Sequence, residues 1–115
     1  MFRFDPELTA SLLPKSVTTA IGVPLSELAG GMAPVTTAAI IFTGIIANIL
    51  GPWLCKLFRL TDEVSRGVAF GTAGHVIGTA KANELSSLTG AVSSLSLVVA
   101  GLLTAILLPL AASFL

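Results

Sequence analysis

Two long stretches of the chain are apolar all the way round a helix and carry no charged side chain. The first covers the 28 residues from Leu28 to Cys55, whose thiol is the only ionisable group there, and the second covers the 31 residues from Leu85 to Leu115. A bilayer core about 30 Å thick needs roughly 20 apolar helical residues, whereas long helices of soluble proteins keep a polar face. We therefore predict two clean transmembrane helices, at about residues 33–56 and 88–115.

Two other segments are apolar enough to enter a membrane but are interrupted by glycine and proline. The first runs from Leu8 to Gly31 and contains Pro14 and Pro24, and the second, residues 67–83, contains four glycines. Broken helices supply free backbone donors and acceptors, and they mark substrate sites in secondary transporters. The pattern predicts an all-α fold: a polytopic membrane helix bundle with two clean transmembrane helices and two Gly/Pro-broken helical segments. We expect one membrane domain over residues 1–115 and leave open whether segment 67–83 crosses the membrane or re-enters.

The amino-acid composition limits the classes of protein to which the chain can belong. Hydrophobic residues make up 54% of the chain and charged residues only 10%, against roughly 25% charged in soluble domains. This excludes a soluble enzyme, a disordered segment and a nucleic-acid binder. With one cysteine, one histidine and dispersed acids, we expect no disulfide, no metal, no cofactor and no catalytic residue. The polar stretch 56–66 between the clean spans contains Lys56, Arg59 and Arg66, so we expect this loop on the cytoplasmic side.

Each broken segment carries a cation together with hydroxyl groups. A lysine at the centre of a membrane costs about 2.5–3.5 kcal/mol, and a carboxylate that leaves water needs charge-assisted donors. We therefore predict one anionic site, in which His75 couples proton uptake to anion binding, because an unperturbed histidine has a pKa of about 6.5. The predicted site residues are Lys15, Ser16, Thr18, Thr19, His75, Gly78, Thr79 and Lys81.

Structural alternatives remain open for several of these residues. Lys15 and Lys81 can snorkel to the headgroups from near a helix end, and Lys81 lies close to Glu84 in sequence. His75 can be a packed histidine bonded to a neighbouring carbonyl. The glycines at 67, 71, 74 and 78 share one helix side and can form a close-packing face instead of contacting a ligand.

Four strings in order along the chain carry a family resemblance. They are LLPKSVTTAI at 12–21, TGIIANILGP at 43–52, RGVAFGTAGHVIGTAKANEL at 66–85 and GAVSSLSLVVAGLLTAILLP at 90–109. Together they resemble the LrgB/CidB family of bacterial membrane proteins, over nearly the whole chain but only over the C-terminal half of such proteins. Ala20, Val76 and Lys81 stand where the family usually has proline, alanine and arginine.

The resemblance implies a multi-pass protein of the bacterial inner (cytoplasmic) membrane. It implies transport of small monocarboxylates, as in the similar plastid glycolate/glycerate translocator and bacterial pyruvate-uptake systems, or else an antiholin-like role in murein hydrolase export and autolysis. Cations in broken helices favour transport, because a purely structural regulator has no need of them. The expected partners are membrane lipid, a small carboxylate anion, and either further copies of the chain or an LrgA/CidA-like or N-terminal-half membrane protein. A half-length form without activity of its own is a third reading.

Overall fold

The computed structural model describes residues 5–114, and these residues fold into helices without a strand. Five helices follow one another: α1 (Pro6–Leu12), α2 (Thr19–Leu28), α3 (Ala33–Leu57), α4 (Glu63–Leu85) and α5 (Ser87–Ala112). The all-α prediction is confirmed, with two helices long and apolar enough to span a membrane. Leu115, the end of the predicted second span, lies outside the described residues.

The two long helices give the molecule its length. At about 1.5 Å per residue, the 25 residues of α3 and the 26 of α5 each extend further than an apolar bilayer core about 30 Å thick. Large apolar side chains such as Phe42, Ile49, Leu95 and Leu102 point outwards and are exposed. Such a surface suits lipid and not water, so the two spans form the outer, membrane-facing part of a membrane protein.

Helix α3 continues through Pro52 to Leu57, although a glycine and a proline in succession commonly end or kink a helix. Gly51 lies directly against the ring of Phe70 in α4. The absence of a side chain at Gly51 therefore lets α4 pack closely on α3 at this point.

The first broken segment is a helical hairpin. Helix α1 ends at Leu12, residues 13–18 form turns, and α2 runs back. The return is shown by close contacts between its two arms: a side-chain carbon on Gly22 would lie 3.0 Å from the carbonyl oxygen of Pro14, and one on Gly31 would lie 2.7 Å from the backbone nitrogen of Ser11. The predicted interruption between Leu8 and Gly31 is confirmed.

The second broken segment is also a hairpin, although its arms are almost continuous. Helix α4 is interrupted at His75, whose φ of 43° and ψ of −135° are not helical. Eight residues of unbroken helix would separate Phe70 from Gly78 by about 12 Å, yet a side-chain carbon on Gly78 would lie 2.7 Å from the Phe70 carbonyl oxygen. The chain therefore reverses at His75, and residues 76–85 return along residues 63–74.

The two halves of the chain share one plan, a broken hairpin followed by a long helix. The end of α5 at Ala112 lines the same shallow cavity as Pro6 and Ala29 of the first hairpin. The end of α4 packs at the start of α5, where Gly90 lies against Asn83. Helices α3 and α5 consequently run in opposite directions, and the hairpins open at opposite ends. This is the geometry of an inverted repeat, in which the two units are related by an axis in the membrane plane.

Candidate functional site

The break in α4 is centred on a buried histidine. His75 is 3% exposed, and its positive φ is a conformation that costs a residue with a side chain about 1–3 kcal/mol. The ring nitrogen Nε2 lies 2.8 Å from the backbone carbonyl oxygen of Ile40 in α3. A carbonyl oxygen can only accept, so Nε2 donates the proton of this bond. The hydrogen bond helps to hold the strained break against the long helix.

A hydroxyl pair ties the same break to α5. Thr79 donates through Oγ1 to the carbonyl oxygen of His75 at 2.7 Å, and its Oγ1 lies 2.8 Å from Oγ of Ser93. All three residues are buried. The bonds form a continuous polar path from α5 through the break in α4 to α3.

Asn48 makes a further polar contact to the returning arm of α4. Its Nδ2 donates to the carbonyl oxygen of Ile77 at 3.1 Å, two residues after the break. Polar side chains within membrane helices commonly hydrogen-bond across a helix pair. The sequence analysis did not single out Asn48 or Ser93. Asn48 could have been found, because it is the only side-chain amide in an uncharged apolar span.

Glycine allows the imidazole to approach α3. A side-chain carbon on Gly44 would lie 2.7 Å from Cε1 of His75 and 2.7 Å from Cδ1 of Ile77, so any larger residue would displace the ring, Ile77 or both. The glycines of α4 also make close contacts: Gly67 and Gly71 against α5, Gly74 against Ala47, and Gly78 against the Phe70 backbone. Close packing therefore accounts for Gly67, Gly71 and Gly74, whereas Gly78 lies beyond the break and not on a face shared with them; its contact with a ligand stays a prediction.

Lys81 lies apart from the buried cluster. Its Nζ is 2.6 Å from Oε2 of Glu84, one helical turn along, and both side chains are partly exposed. Six residues separate it from His75, or about 9 Å along a helix. The position agrees with the snorkelling alternative, since the ammonium already has a carboxylate partner towards the end of the arm.

The turn of the first hairpin presents the other predicted polar residues. Lys15 is exposed and donates through Nζ to Oγ of Ser16 at 3.2 Å. Thr18 caps α2 through its backbone, accepting bonds from Ile21 at 3.1 Å and Gly22 at 2.8 Å, while its hydroxyl makes no capping bond. Ser16, Thr18 and Thr19 are at least partly exposed, so their hydroxyls are available to a ligand.

A second buried hydroxyl cluster holds the first hairpin on α3. Thr36 donates through Oγ1 to the carbonyl oxygen of Ser11 at 2.8 Å and lies 2.6 Å from Oγ of Ser26. Ser11 in turn accepts a bond from the backbone N–H of Met32 at 2.7 Å. Three hydroxyl residues, each fully buried, therefore join α1, α2 and α3. No sequence signal pointed to this cluster.

Ile40 lies between the two hairpins. Its carbonyl oxygen accepts the bond from His75, and its side-chain carbon Cδ1 is the nearest neighbour of Gly22 in α2. Helices α1 and α2 make no close backbone approach to α4, because α3 stands between them. The structure thus brings His75, Gly78 and Thr79 together on one side of α3. That these α4 residues and the polar residues of the first hairpin's turn form a single anionic site stays a prediction.

Comparison with known proteins gives one consistent result. The model of the family described as "LrgB-like family" matches residues 1–114. The chain is 43% identical over 107 residues to "Uncharacterized protein YwbG" of Bacillus subtilis (strain 168), covering 93% of this chain and 48% of that relative. It is 37% identical over 107 residues to "Antiholin-like protein LrgB" of the same organism, covering 93% and 46%. The chain spans about half the length of these relatives, and no solved structure matches it significantly.

Proposed function

This chain belongs to the LrgB-like family, and on that premise we propose that it serves the transport of small monocarboxylates such as pyruvate or glycolate. The observation that carries the proposal is the pair of oppositely directed broken hairpins, with a buried polar path through His75 at one break. In secondary transporters such breaks lie near the membrane midplane and bind the substrate.

The chemistry of the breaks favours an anion. Helix α2 and the returning arm of α4 both begin at a break, so each presents the positive N-terminal end of a helix there, buried at His75 for α4 and exposed at Thr19 for α2. The hydroxyls of Ser16 and Thr18 add donors, since Ser16 only accepts a bond from Lys15 and keeps its own proton to donate. Lys15 supplies net positive charge at the first break. These groups match a small carboxylate better than a cation or an apolar solute.

We propose a multi-pass arrangement in the bacterial inner membrane. The connection between α3 and α4, residues 58–62, carries Arg59, with Lys56 and Arg66 on the helix ends beside it. Short basic loops stay cytoplasmic, so the second hairpin enters from the cytoplasm and the first enters from the opposite side. Transport in this arrangement leaves the substrate chemically unchanged, and we do not expect an enzyme.

The proposal includes a partner chain in the membrane. The chain spans about half of its relatives, and polar groups at the first break are exposed on its surface. Polar backbone and side chains facing lipid are costly, so we propose that another membrane chain covers them. That chain is either a second copy or an LrgA/CidA-like or N-terminal-half partner.

An antiholin-like role is the second candidate, favoured by the name of the relative "Antiholin-like protein LrgB". In this role the chain modulates murein hydrolase export and autolysis. The two functions differ in what they require of the break, since a regulator that acts through assembly tolerates changes to polar side chains that preserve packing.

Uptake measurements separate the two functions. Labelled pyruvate and glycolate uptake is measured in cells that express the chain with a candidate partner, for His75→Gln, Lys81→Met and Thr79→Val. The matched control is Thr72→Val, because Thr72 lies on the same helix and also bonds the carbonyl four residues earlier, but is exposed. Loss of uptake in His75→Gln and Thr79→Val, with normal uptake in the control, supports transport. Normal uptake in all variants at equal protein levels, or altered autolysis without uptake, favours the regulator.

A further inference from the structure

The two ring nitrogens of His75 have different surroundings. Nε2 lies 2.8 Å from the carbonyl oxygen of Ile40 and must carry a proton to make that bond. A neutral imidazole has one protonated and one bare nitrogen. The contact with α3 therefore assigns the bare position to Nδ1, and Nδ1 is an acceptor whenever His75 is neutral.

Nδ1 is also the ring nitrogen that is not fully enclosed. Within residues 5–114, every side-chain nitrogen or oxygen that is fully enclosed has a hydrogen-bond partner. Among the described residues, the His75 ring hydrogen-bonds only through Nε2, so Nδ1 keeps some accessible surface although the residue as a whole is 3% exposed. The Nδ1 position is therefore the part of the buried ring that is left without a partner among the described residues.

We propose, building on the carboxylate transport proposed above, that Nδ1 of His75 contacts the substrate and that each carboxylate binds together with one proton. A bare Nδ1 and a carboxylate oxygen are both acceptors and repel each other. One proton between them converts the repulsion into a charge-assisted hydrogen bond. The proton comes from water and rests either on Nδ1, opposite the carboxylate, or on the carboxyl oxygen, which then donates to Nδ1. The balance is one proton per carboxylate in both cases.

No other described group around the ring can take over this proton. Helix α5 has no titratable side chain, and α3 has none between residues 33 and 54, with Cys55 and Lys56 near its end. The nearest titratable groups on α4 are Lys81, which is paired with Glu84, and Arg66 at the far end of the first arm. The carbonyl of Ile40 acts as a positioning group, because it determines which nitrogen faces the substrate.

The test uses the fact that His75 is the only histidine of the chain. The full chain is labelled with ¹⁵N-histidine and purified in nanodiscs at mildly alkaline pH, so that every imidazole signal belongs to this residue. We expect a protonated Nε2 and a bare Nδ1 in the free protein. Titration with pyruvate and acetate should shift Nδ1 towards a protonated or hydrogen-bonded state, and methyl acetate, which has neither a charge nor a hydrogen-bond donor, should not.

Two further readouts accompany the titration. Saturation transfer to the acetate methyl group measures binding independently of the histidine signal, and a weakly buffered sample measures proton uptake, expected at one proton per bound carboxylate. Proton uptake should be lost in His75→Gln and unchanged in Thr72→Val. The wild-type spectra decide the question even if the glutamine variant fails to fold.

The outcomes separate the inference from the function on which it rests. A free protein with protonated Nδ1 and bare Nε2, or carboxylate binding without proton uptake, overturns the inference and leaves monocarboxylate transport standing. Absence of carboxylate binding in the wild-type chain contradicts the proposed function and the inference with it.

Discussion

Gly78 lies against the backbone carbonyl of Phe70, eight residues earlier in the same helix. A side-chain carbon at Gly78 would come within 2.7 Å of that oxygen, a distance that an unbroken helix cannot produce. The contact requires α4 to turn back on itself at His75. Helix α4 has 23 residues, which as one continuous helix would be long enough to cross a bilayer. Because it turns back, it enters and leaves at the same face of the membrane.

The first prediction concerns this topology. In a Cys55→Ala background, Ser65→Cys at the start of the hairpin and Ser87→Cys just after it should react with a membrane-impermeant maleimide from the same side. Ser113→Cys, beyond α5, should react from the opposite side. Intact cells and inverted vesicles provide the two sides. Labelling of positions 65 and 87 from opposite faces would show a full crossing and contradict the hairpin.

The second prediction tests the fit of the His75 ring against α3. Gly44→Ala places a methyl group 2.7 Å from Cε1 of His75, so we expect the bond to Ile40 to be lost and the protein to be destabilised by about 1–3 kcal/mol. Gly101→Ala is the control, because its new carbon meets only the flexible end of Ile21 at 2.8 Å.

Both Gly44→Ala and Gly101→Ala are measured by unfolding in mixed micelles and by the ¹⁵N signals of His75. Equal unfolding midpoints for the two variants, with an unchanged imidazole spectrum in Gly44→Ala, would show that the ring does not depend on this contact.

The third prediction concerns the hydroxyl cluster of the first hairpin. Thr36→Val keeps the volume of the side chain but leaves the carbonyl of Ser11 and the hydroxyl of Ser26 without this partner. Buried groups left unpaired cost about 1–3 kcal/mol, so the variant should unfold more easily. Thr37→Val is the control, because Thr37 is the next residue in the chain and its side chain is only half-buried. Unfolding in mixed micelles compares the two, and equal stability would argue against the cluster as an anchor.

These clusters show where sequence reasoning succeeds and where it stops. The clean spans follow from charge-free runs, because the cost of charge in lipid is a local property of the chain. The positions of glycine and proline also predict the two breaks. They do not show that the break of α4 falls on His75, because the positive φ of this residue depends on a hydrogen bond to a carbonyl oxygen 35 residues away. Ser11 and Thr36, 25 residues apart, likewise meet only after the hairpin has formed.

The fourth prediction concerns the acid dependence of the start of α4. Asp62 accepts bonds from the backbone N–H of Ser65 at 2.8 Å and from its hydroxyl at 2.9 Å, and these bonds lower the pKa of the Asp62 carboxyl below its ordinary value. A lowered folded-state pKa means that the cap stabilises the helix fully above the ordinary pKa, and that this stabilisation is lost as the pH falls through the folded value.

We therefore expect the Ser65 amide to lose protection from hydrogen exchange at strongly acidic pH, after correction for the intrinsic rate. The Thr89 amide is capped by the uncharged hydroxyl of Ser86 at 3.0 Å and should show no such loss. Asp62→Ala should abolish the pH dependence at Ser65. A parallel response of both amides would indicate general unfolding and not titration of the cap.

The corner between α4 and α5 consists of the single residue Ser86, whose hydroxyl bonds both the backbone and the side chain of Thr89. Such a corner has almost no extended backbone that a protease or an antibody could bind. A tag inserted there would separate the two helices that the corner joins. The connection at residues 58–62 has room for an insertion because its side chains are mostly exposed. A reporter for following this protein in living membranes therefore belongs between α3 and α4, where it leaves both hairpins intact.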